Sequence, residues 1–302
     1  MAIIGIDIGG TKILTASCNR QGALLFRTRI STPQDPTAAM HQIIDMVRAA
    51  ADHAADETID AIGISCGGPL DARAETISPL HLPQWRGLEL GRVLRSEFNC
   101  PVRLENDADA GAFAEYYVGD AGITRLLYVT LSTGLGGGLL LDGEIYRGHD
   151  YSHPEIGHQS VPLHPHIASV SCSCGATNCL EALISGLAIE RRYGKQAANL
   201  NRDEWTEVGV LLGRGLRNVA AILAPEEIAI SGGVAVGGGE LLLSAARAEL
   251  ERNVHIVPRP RLRLSRLNYD AALWGALALG FAATEMSPSL LQAAAAKQMP
   301  GN

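Results

Sequence analysis

Residues 5–14, Gly-Ile-Asp-Ile-Gly-Gly-Thr-Lys-Ile-Leu (GIDIGGTKIL), run an apolar strand into a glycine turn and out again as a second apolar strand. Ile3 to Ile8 reads as a buried strand, Gly9-Gly10-Thr11-Lys12 as its turn, and Ile13 to Cys18 as the return. Ala23 to Ile30 adds a third strand after a Gln21-Gly22 turn, which makes a β-meander. The plan recurs from Arg125 as RLLYVTLS, a TGLGGG turn, LLL, an Asp142-Gly143 hairpin turn and EIY. In both copies an apolar strand ending in a polar residue enters a glycine-bearing turn and returns apolar. The chain reads as an internal duplication.

A turn without Cβ atoms lets backbone N–H groups approach an anion closely, so a phosphate can be held without a basic patch. Two such turns can clamp one polyphosphate. The first carries more chemistry, because Asp7 can hold Mg2+, Thr11 offers a hydroxyl and Lys12 a cation. No G-x-x-x-x-G-K-[ST] is present, nor a G-x-G-x-x-G opening a helix after a strand, so neither a P-loop enzyme nor a Rossmann dehydrogenase is supported.

The segments around the meanders alternate helix and strand. Asp35-Pro36 opens a helix reaching about His53. Ile59 to Cys66 and Val102 to Leu104 read as strands, the second followed by a helix from Ala108 to Tyr117. Later come helices from about Glu181 to Tyr193 and Asp203 to Leu223, the strand Glu227 to Ser231, and a Gly232-Gly233 turn. A helix from about Gly239 to Arg252, a strand Arg261 to Leu267 and a helix Ala271 to Thr284 close the chain. The expected fold class is α/β in two domains, residues 1–117 and 118–302, with a hinge near Tyr117 to Gly122 and the last helix crossing back.

Composition bounds the function. A chain of 302 residues exceeds what one core usually supports, and 47% hydrophobic with 19% charged residues suits a compact soluble protein. A net charge of -7 without a run of Lys or Arg argues against nucleic acid or an anionic membrane and in favour of a small molecule. The N-terminus has no basic n-region, and the longest apolar runs, such as Ala271 to Ala282, are too short for a bilayer span, so a cytoplasmic protein is expected.

In that compartment thiols stay reduced, which disfavours a disulfide within Cys172-Ser173-Cys174-Gly175-Ala176-Thr177-Asn178-Cys179. The C-x-C spacing is not a thioredoxin-like C-x-x-C, so a metal is favoured. His158, in PEIGH (Pro154 to His158), would complete a tetrahedral Zn2+ site with Cys172, Cys174 and Cys179. His164 and His166 in the following loop are alternative fourth ligands. The histidines of HDYSH, His149 and His153, receive no role.

Glu105-Asn106-Asp107-Ala108 (ENDA) closes an apolar strand just before a helix. An N-cap is one use of an acid there. The carboxyl end of a strand is also where open α/β sheets place ligands, and a carboxylate can accept a hydroxyl proton during attack on a phosphoryl group. Asp107 is the candidate base, with the Asn106 amide anchoring a neighbouring hydroxyl.

DIGGTK, ENDA, TGLGGG, E-x-G-H, C-x-C-G-x-x-x-C-x-E and the late ISGG turn occur here in the order of the ROK family (repressor, open reading frame, kinase). The chain resembles that family over nearly its whole length. The resemblance implies the actin-like ATPase and hexokinase-like fold, two α/β domains around a cleft, with ATP phosphorylating a sugar hydroxyl. It implies a first phosphate loop of Asp7, Gly9, Gly10, Thr11 and Lys12, and a second of Thr133 and Gly134. Gly232 and Gly233 would lie near the adenosine. Asn106, Asp107, Glu155, His158 and Glu181 would hold the sugar, with Gly68 close by, and His158 would also touch a structural Zn2+ on Cys172, Cys174 and Cys179.

Departures from the family pattern are Asn178 in place of a glycine and a longer loop between His158 and Cys172. The expected activity is that of an ATP- and Mg2+-dependent glucokinase-like enzyme, with fructose, mannose, allose or N-acetylmannosamine as alternative sugars. A homodimer is the family expectation. Sugar-sensing regulators of the family carry an N-terminal helix-turn-helix, which is not expected here because the first strand starts at residue 3. A zinc-stabilised binding module without catalysis is the other alternative.

Overall fold

The run from Ile3 to Ile8 becomes β1 (Ala2–Ile8), buried at every position but Asp7, which leads into β2 (Lys12–Cys18) and β3 (Leu24–Ser31). The computed structural model describes residues 1–54, 58–119, 122–163 and 166–298. Asp35 accepts the Ala38 N–H at 2.7 Å and starts α1 (Pro36–Ala51), with proline at the first position where no donor is needed. There follow β4 (Ile59–Cys66), the small hairpin β5 (Leu70–Asp71) and β6 (Thr76–Ile77), α2 (Leu90–Phe98), β7 (Val102–Asn106) and α3 (Asp107–Ala114). The sheet order is β3-β2-β1-β4-β7, antiparallel among the first three strands and parallel from β1 onward.

The plan then repeats. β8 (Arg125–Leu131), β9 (Leu135–Leu141) and β10 (Glu144–Ile145) form the second meander, whose Asp142-Gly143 turn has φ 52° and 85°, as a type I′ turn requires. Then come α4 (Leu180–Ile184), α5 (Gly186–Tyr193), α6 (Arg202–Leu223), β11 (Glu227–Ser231), α7 (Gly233–Asn253) and β12 (Arg261–Leu264). The order β10-β9-β8-β11-β12 copies the first sheet strand for strand, with the same parallel and antiparallel pairings. α8 (Ala271–Ala283) and α9 (Gln292–Gln298) end the described chain.

Two compact units result, residues 1–121 together with 270–302, and residues 122–269. Within the expected hinge, Asp120 and Ala121 lie outside the described residues. Each unit has its own core. In the first, Ile4, Ile6, Ile62, Ile64 and Trp85 are fully or almost fully buried. In the second, Leu127, Val129, Ile228 and Ile230 meet Leu211, Leu216 and Leu242 from the helices. α8 is apolar all round and packs on β1 and β4 of the first unit. The approach is so close that a Cβ on Gly5 would lie 2.7 Å from Leu277 Cγ.

Three readings of the sequence change. The glycines of TGLGGG are not all turn: β9 starts at Leu135, and Gly136 to Gly138 are strand residues. The expected helix from Glu181 to Tyr193 is two, because Ser185 is extended (φ -63°, ψ 163°) and its hydroxyl caps α5 by accepting the Ala188 N–H. The helix expected from about Gly239 is preceded by a further helical stretch: α7 starts at Gly233, despite a glycine-rich start of poor helix propensity, and is broken at Gly239 (φ 48°, ψ -133°). Close packing on α6 compensates, since a Cβ on Gly209 would lie 2.6 Å from the Leu242 oxygen. Among the described residues no helix is long and apolar enough to cross a membrane.

Candidate active site and metal centre

In the first unit, pairing sets the charges. β1 and β4 run parallel with Asp7 opposite Ser65, whose hydroxyl donates to Asp7 Oδ1 at 3.2 Å. β4 and β7 pair Cys66 with Asn106, so Asp107 follows at the same end of the sheet. Burial and then the negative charge of Asp107 push the Asp7 carboxyl up to about 7, against the smaller opposing effects of Ser65 and Lys12. Burial, then Asp107 and Asp7, also hold the Cys66 thiol well above its ordinary range, so it is a neutral wall residue. Two carboxylates that oppose each other's ionisation suit a divalent cation, and the donor chemistry fits the Mg2+ expected there.

The turn beside them is braced from the next strand. Gly9 N–H donates to the Lys12 carbonyl at 2.9 Å, while the Thr32 hydroxyl donates to the Gly9 carbonyl at 2.7 Å and the Thr32 N–H to the Thr11 carbonyl at 3.1 Å. Gly10, Thr11 and Lys12 are left exposed. A Cβ on Gly10 would lie 3.2 Å from His81 Cβ.

Asn106, not Asp107, takes the N-cap position. Its Oδ1 accepts the Ala108 N–H at 2.9 Å, which leaves the side-chain NH2 as a donor. Gly68 comes against that NH2, since a Cβ there would lie 3.2 Å from Asn106 Nδ2. Asp107 stands at the first helical position and also accepts the Ala108 N–H, at 2.8 Å.

In the second unit the turn is held by helices. Glu181 of α4 accepts the Leu135 N–H at 2.9 Å, and a Cβ on Gly134 would come within 2.8 Å of the same oxygen. At the start of α5 the Gly186 N–H donates to the Ser132 carbonyl at 2.7 Å and the Leu187 N–H to the Thr133 carbonyl at 3.4 Å. A cavity of about 310 Å³ opens there, lined among others by Ser132, Thr133, Gly186, Glu190, Gly233 and Val234. Gly232 caps α7 with φ 101° and without a side-chain acceptor. The first-turn N–H groups of that helix are suited to an anion or polar ligand.

The metal centre is also in this unit. Ligand atoms of His158, Cys172, Cys174 and Cys179 all lie within 4.8 Å of one another. His158 Nδ1 is 3.4 Å from Cys172 Sγ, and Cys174 Sγ is 3.6 Å from Cys179 Sγ. Three thiols and one imidazole fit a tetrahedral Zn2+. The backbone N–H of Ala176 is the first cause that lowers the Cys174 thiol.

Asn178 adopts φ 59°, the left-handed conformation that glycine would supply, and does more than glycine could. Its Oδ1 accepts the Ser169 hydroxyl at 2.9 Å and the Val170 N–H at 3.0 Å, folding the loop before the cluster. His166 is engaged elsewhere, with Nε2 2.7 Å from Glu207, and His164 lies outside the described residues. Glu155 faces the cluster's histidine: its Oε2 is 3.8 Å from His158 Nε2, and its Oε1 is 3.3 Å from His153 Nε2. A hydrogen bond from His153 is the main cause that holds the Glu155 carboxyl below its ordinary range.

Among known proteins, the model described as ROK family matches residues 3–282. The chain belongs to the ROK family. A ROK hexokinase from Thermus thermophilus shares 31% identity and a TM-score of 0.79, covering 94% of this chain and 99% of that one. A ROK family glucokinase from Streptomyces griseus, solved in complex with glucose and AMPPNP, shares 28% identity and a TM-score of 0.75 over 92% and 98% of the two chains. The N-acetylmannosamine kinase of Escherichia coli O1:K1 is 30% identical over 297 residues, 92% of this chain and 98% of its own length. The fold is accordingly the ROK-kinase form of the actin-like ATPase fold, with its duplicated mixed sheets. Ser65 and the α5 side of the cavity escaped the sequence reading because no local motif marks them; strand pairing and helix packing bring them in.

Proposed function

We propose that this ROK-family chain is an ATP-dependent hexose kinase in which Asp107 takes the proton of the sugar hydroxyl that attacks the γ-phosphoryl group. The observation that carries the reading is the Asp7–Asp107 carboxylate pair, set by parallel strands at one end of the first unit's sheet beside the glycine turn and Lys12. Phosphoryl transfer needs little covalent help from protein. It needs a positioned hydroxyl, a proton acceptor and charge compensation for the phosphates.

The first unit supplies all three in this reading. Asp107 accepts the proton, the Asn106 NH2 and the space over Gly68 orient the sugar, and Asp7 would hold Mg2+. When bound, Mg2+ would neutralise phosphate charge. Lys12 and the N–H groups of Gly10 and Thr11 in the exposed turn would serve the same anion.

The second unit supplies nucleotide and further sugar contacts. The cavity at Thr133 and Gly233 suits an adenosine, with the α7 N-terminus and the turn at Thr133 and Gly134 suited to its phosphates. Glu155, His158 and Glu181 are the polar side chains for sugar hydroxyls, the two carboxylates accepting hydroxyl protons and the imidazole pairing through its Nε2. Residues Cys172, Cys174, Cys179 and His158 would hold a structural Zn2+ that fixes the loop carrying Glu155 and His158. No open coordination position is needed. A homodimer belongs to the same reading and is checked by sedimentation.

Glucose is the expected sugar; fructose, mannose, allose and N-acetylmannosamine are its competitors. A coupled ADP-release assay over these hexoses tests the reading. Sugar-dependent ADP release is expected, and Asp107→Ala should lower turnover by roughly 10³-fold while sugar binding stays measurable by calorimetry. No ADP release with any sugar, or an unchanged rate in Asp107→Ala, sinks it.

A further inference from the structure

His153, the last residue of the HDYSH stretch and without a role in the sequence, has its ring engaged at both ends. Nδ1 lies 3.4 Å from the Gly137 carbonyl oxygen in β9, and Nε2 lies 3.3 Å from Glu155 Oε1. Both neighbours can only accept, so a ring that bonds to both donates from each nitrogen. The sheet side of this arrangement is firm. A Cβ on Gly137 would lie 2.6 Å from Ile156 Cδ1, so the segment that follows Glu155 packs directly on β9.

The two histidines beside Glu155 have different anchors. His158 turns Nδ1 toward the thiols and leaves Nε2 3.8 Å from Glu155 Oε2, beyond hydrogen-bonding distance. His153 makes the shorter approach and is referred to sheet backbone instead. Pro154 separates His153 from Glu155 and fixes its own φ, which limits how far the two side chains can drift apart. A glutamate side chain has three rotatable bonds, and without a tether it would present its carboxylate in many orientations.

We propose that His153 is a positioning residue that ties the Glu155 carboxylate to the backbone of β9 and so fixes the direction in which Glu155 meets a sugar hydroxyl. The proposal rests on the reading of Glu155 as a sugar contact. Its gain is preorganisation: the side-chain ordering is complete before the sugar arrives, so affinity for the sugar rises while the nucleotide is indifferent.

Steady-state kinetics of the zinc-loaded protein test it, with glucose, or the panel hexose of highest turnover, as the varied sugar. His153→Phe keeps a ring and removes both donors, His153→Gln restores one, and Glu155→Gln is the reference. Expected is a rise of roughly 10-fold in sugar KM for His153→Phe, with KM for ATP, kcat and zinc content within about twofold of the parent, and a partial recovery in His153→Gln. An unchanged sugar KM in His153→Phe, alongside a raised one in Glu155→Gln, overturns the tether alone. Equal losses for sugar and ATP with no recovery in His153→Gln also overturn it, because that pattern is a general structural defect. Should Glu155→Gln leave the sugar KM unchanged, the assignment of Glu155 fails first and the tether falls with it.

Discussion

The two glycine turns occupy the same place in two sheets of the same order, yet they are held by opposite means. In the first unit a neighbouring strand braces the turn through Thr32, and the carboxylate at its base, Asp7, is left in an environment that raises its proton affinity. In the second unit a carboxylate from a helix, Glu181, serves the turn itself by accepting the Leu135 N–H, and the start of α5 takes two of the turn's carbonyls. The strand registers make the contrast specific. Asp7 faces Ser65 in one sheet, and Thr130 faces Ser231 in the other. A duplicated backbone plan has been given one end where a carboxylate is held at raised proton affinity and one where the carboxylate is spent on the turn's own backbone.

The largest break in that comparison is Asp7→Asn. Turnover should fall by roughly 10³-fold, the several kcal/mol that a metal-assisted charge interaction supplies. Stability should move the other way. An ordinary carboxyl titrates at 3.8 and the folded Asp7 near 7, so between those values the folded chain keeps a proton the unfolded chain has lost. The stability this contributes is full below about pH 4 and is lost as pH rises through 7. Metal-free Asp7→Asn should therefore be more stable than the parent at pH 8 by about 1–2 kcal/mol, with a flatter dependence between pH 4 and 8, as read by urea unfolding. A variant less stable at pH 8 contradicts the raised pKa.

Removing zinc with a chelator comes next and acts on the second unit. Loss of the ion should raise sugar KM by about 10- to 100-fold and lower the melting temperature, with a smaller effect on KM for ATP. A chelated protein of unchanged stability and sugar KM would refute the structural role of the ion.

The paired serines give the third and most direct contrast. Ser65→Ala removes the donor to Asp7 and should lower kcat by about 10-fold, as loss of a partner to a functional ligand does. Ser231 donates to the Asn268 carbonyl at 2.6 Å, so Ser231→Ala should cost about 1 kcal/mol of stability and leave kcat within twofold. Equal kinetic effects would erase the distinction between the ends. Smallest is Asn178→Ala, which forfeits two accepted hydrogen bonds and places alanine in a left-handed conformation; about 1–2 kcal/mol of stability should be lost.

Much of this was readable from residues. Strand periodicity gave β4 to the residue and the first meander to within a residue at each strand end, and the repeated strand-turn-strand pattern forecast a duplicated plan. The C-x-C-G-x-x-x-C spacing and PEIGH named the four groups that the structure brings within bonding range of one ion. What escaped was whatever depends on contact across the chain. Gly136 to Gly138 looked like turn because glycine disfavours strands, and only Ile156 packing on Gly137 explains why they are strand. Ser185 splits α4 from α5 because the start of α5 is drawn to the Ser132 carbonyl, a partner fifty residues away in sequence. His153 looked like a surface histidine until its two acceptors were placed around it.

The close seating of α8 on β1 and β4 has a consequence for the order in which the chain can be made. Gly5 lies at the start of the chain and Leu277 near its end, and the second unit, roughly 150 residues, is synthesised between them. At about 5–20 residues per second a ribosome needs on the order of 10–30 s to cross that insert. Throughout that time the first sheet waits without the helix that covers it, while every strand of the second sheet emerges in one continuous stretch. The unit that begins the chain is thus the last to be completed, and the unit inserted into it has the head start.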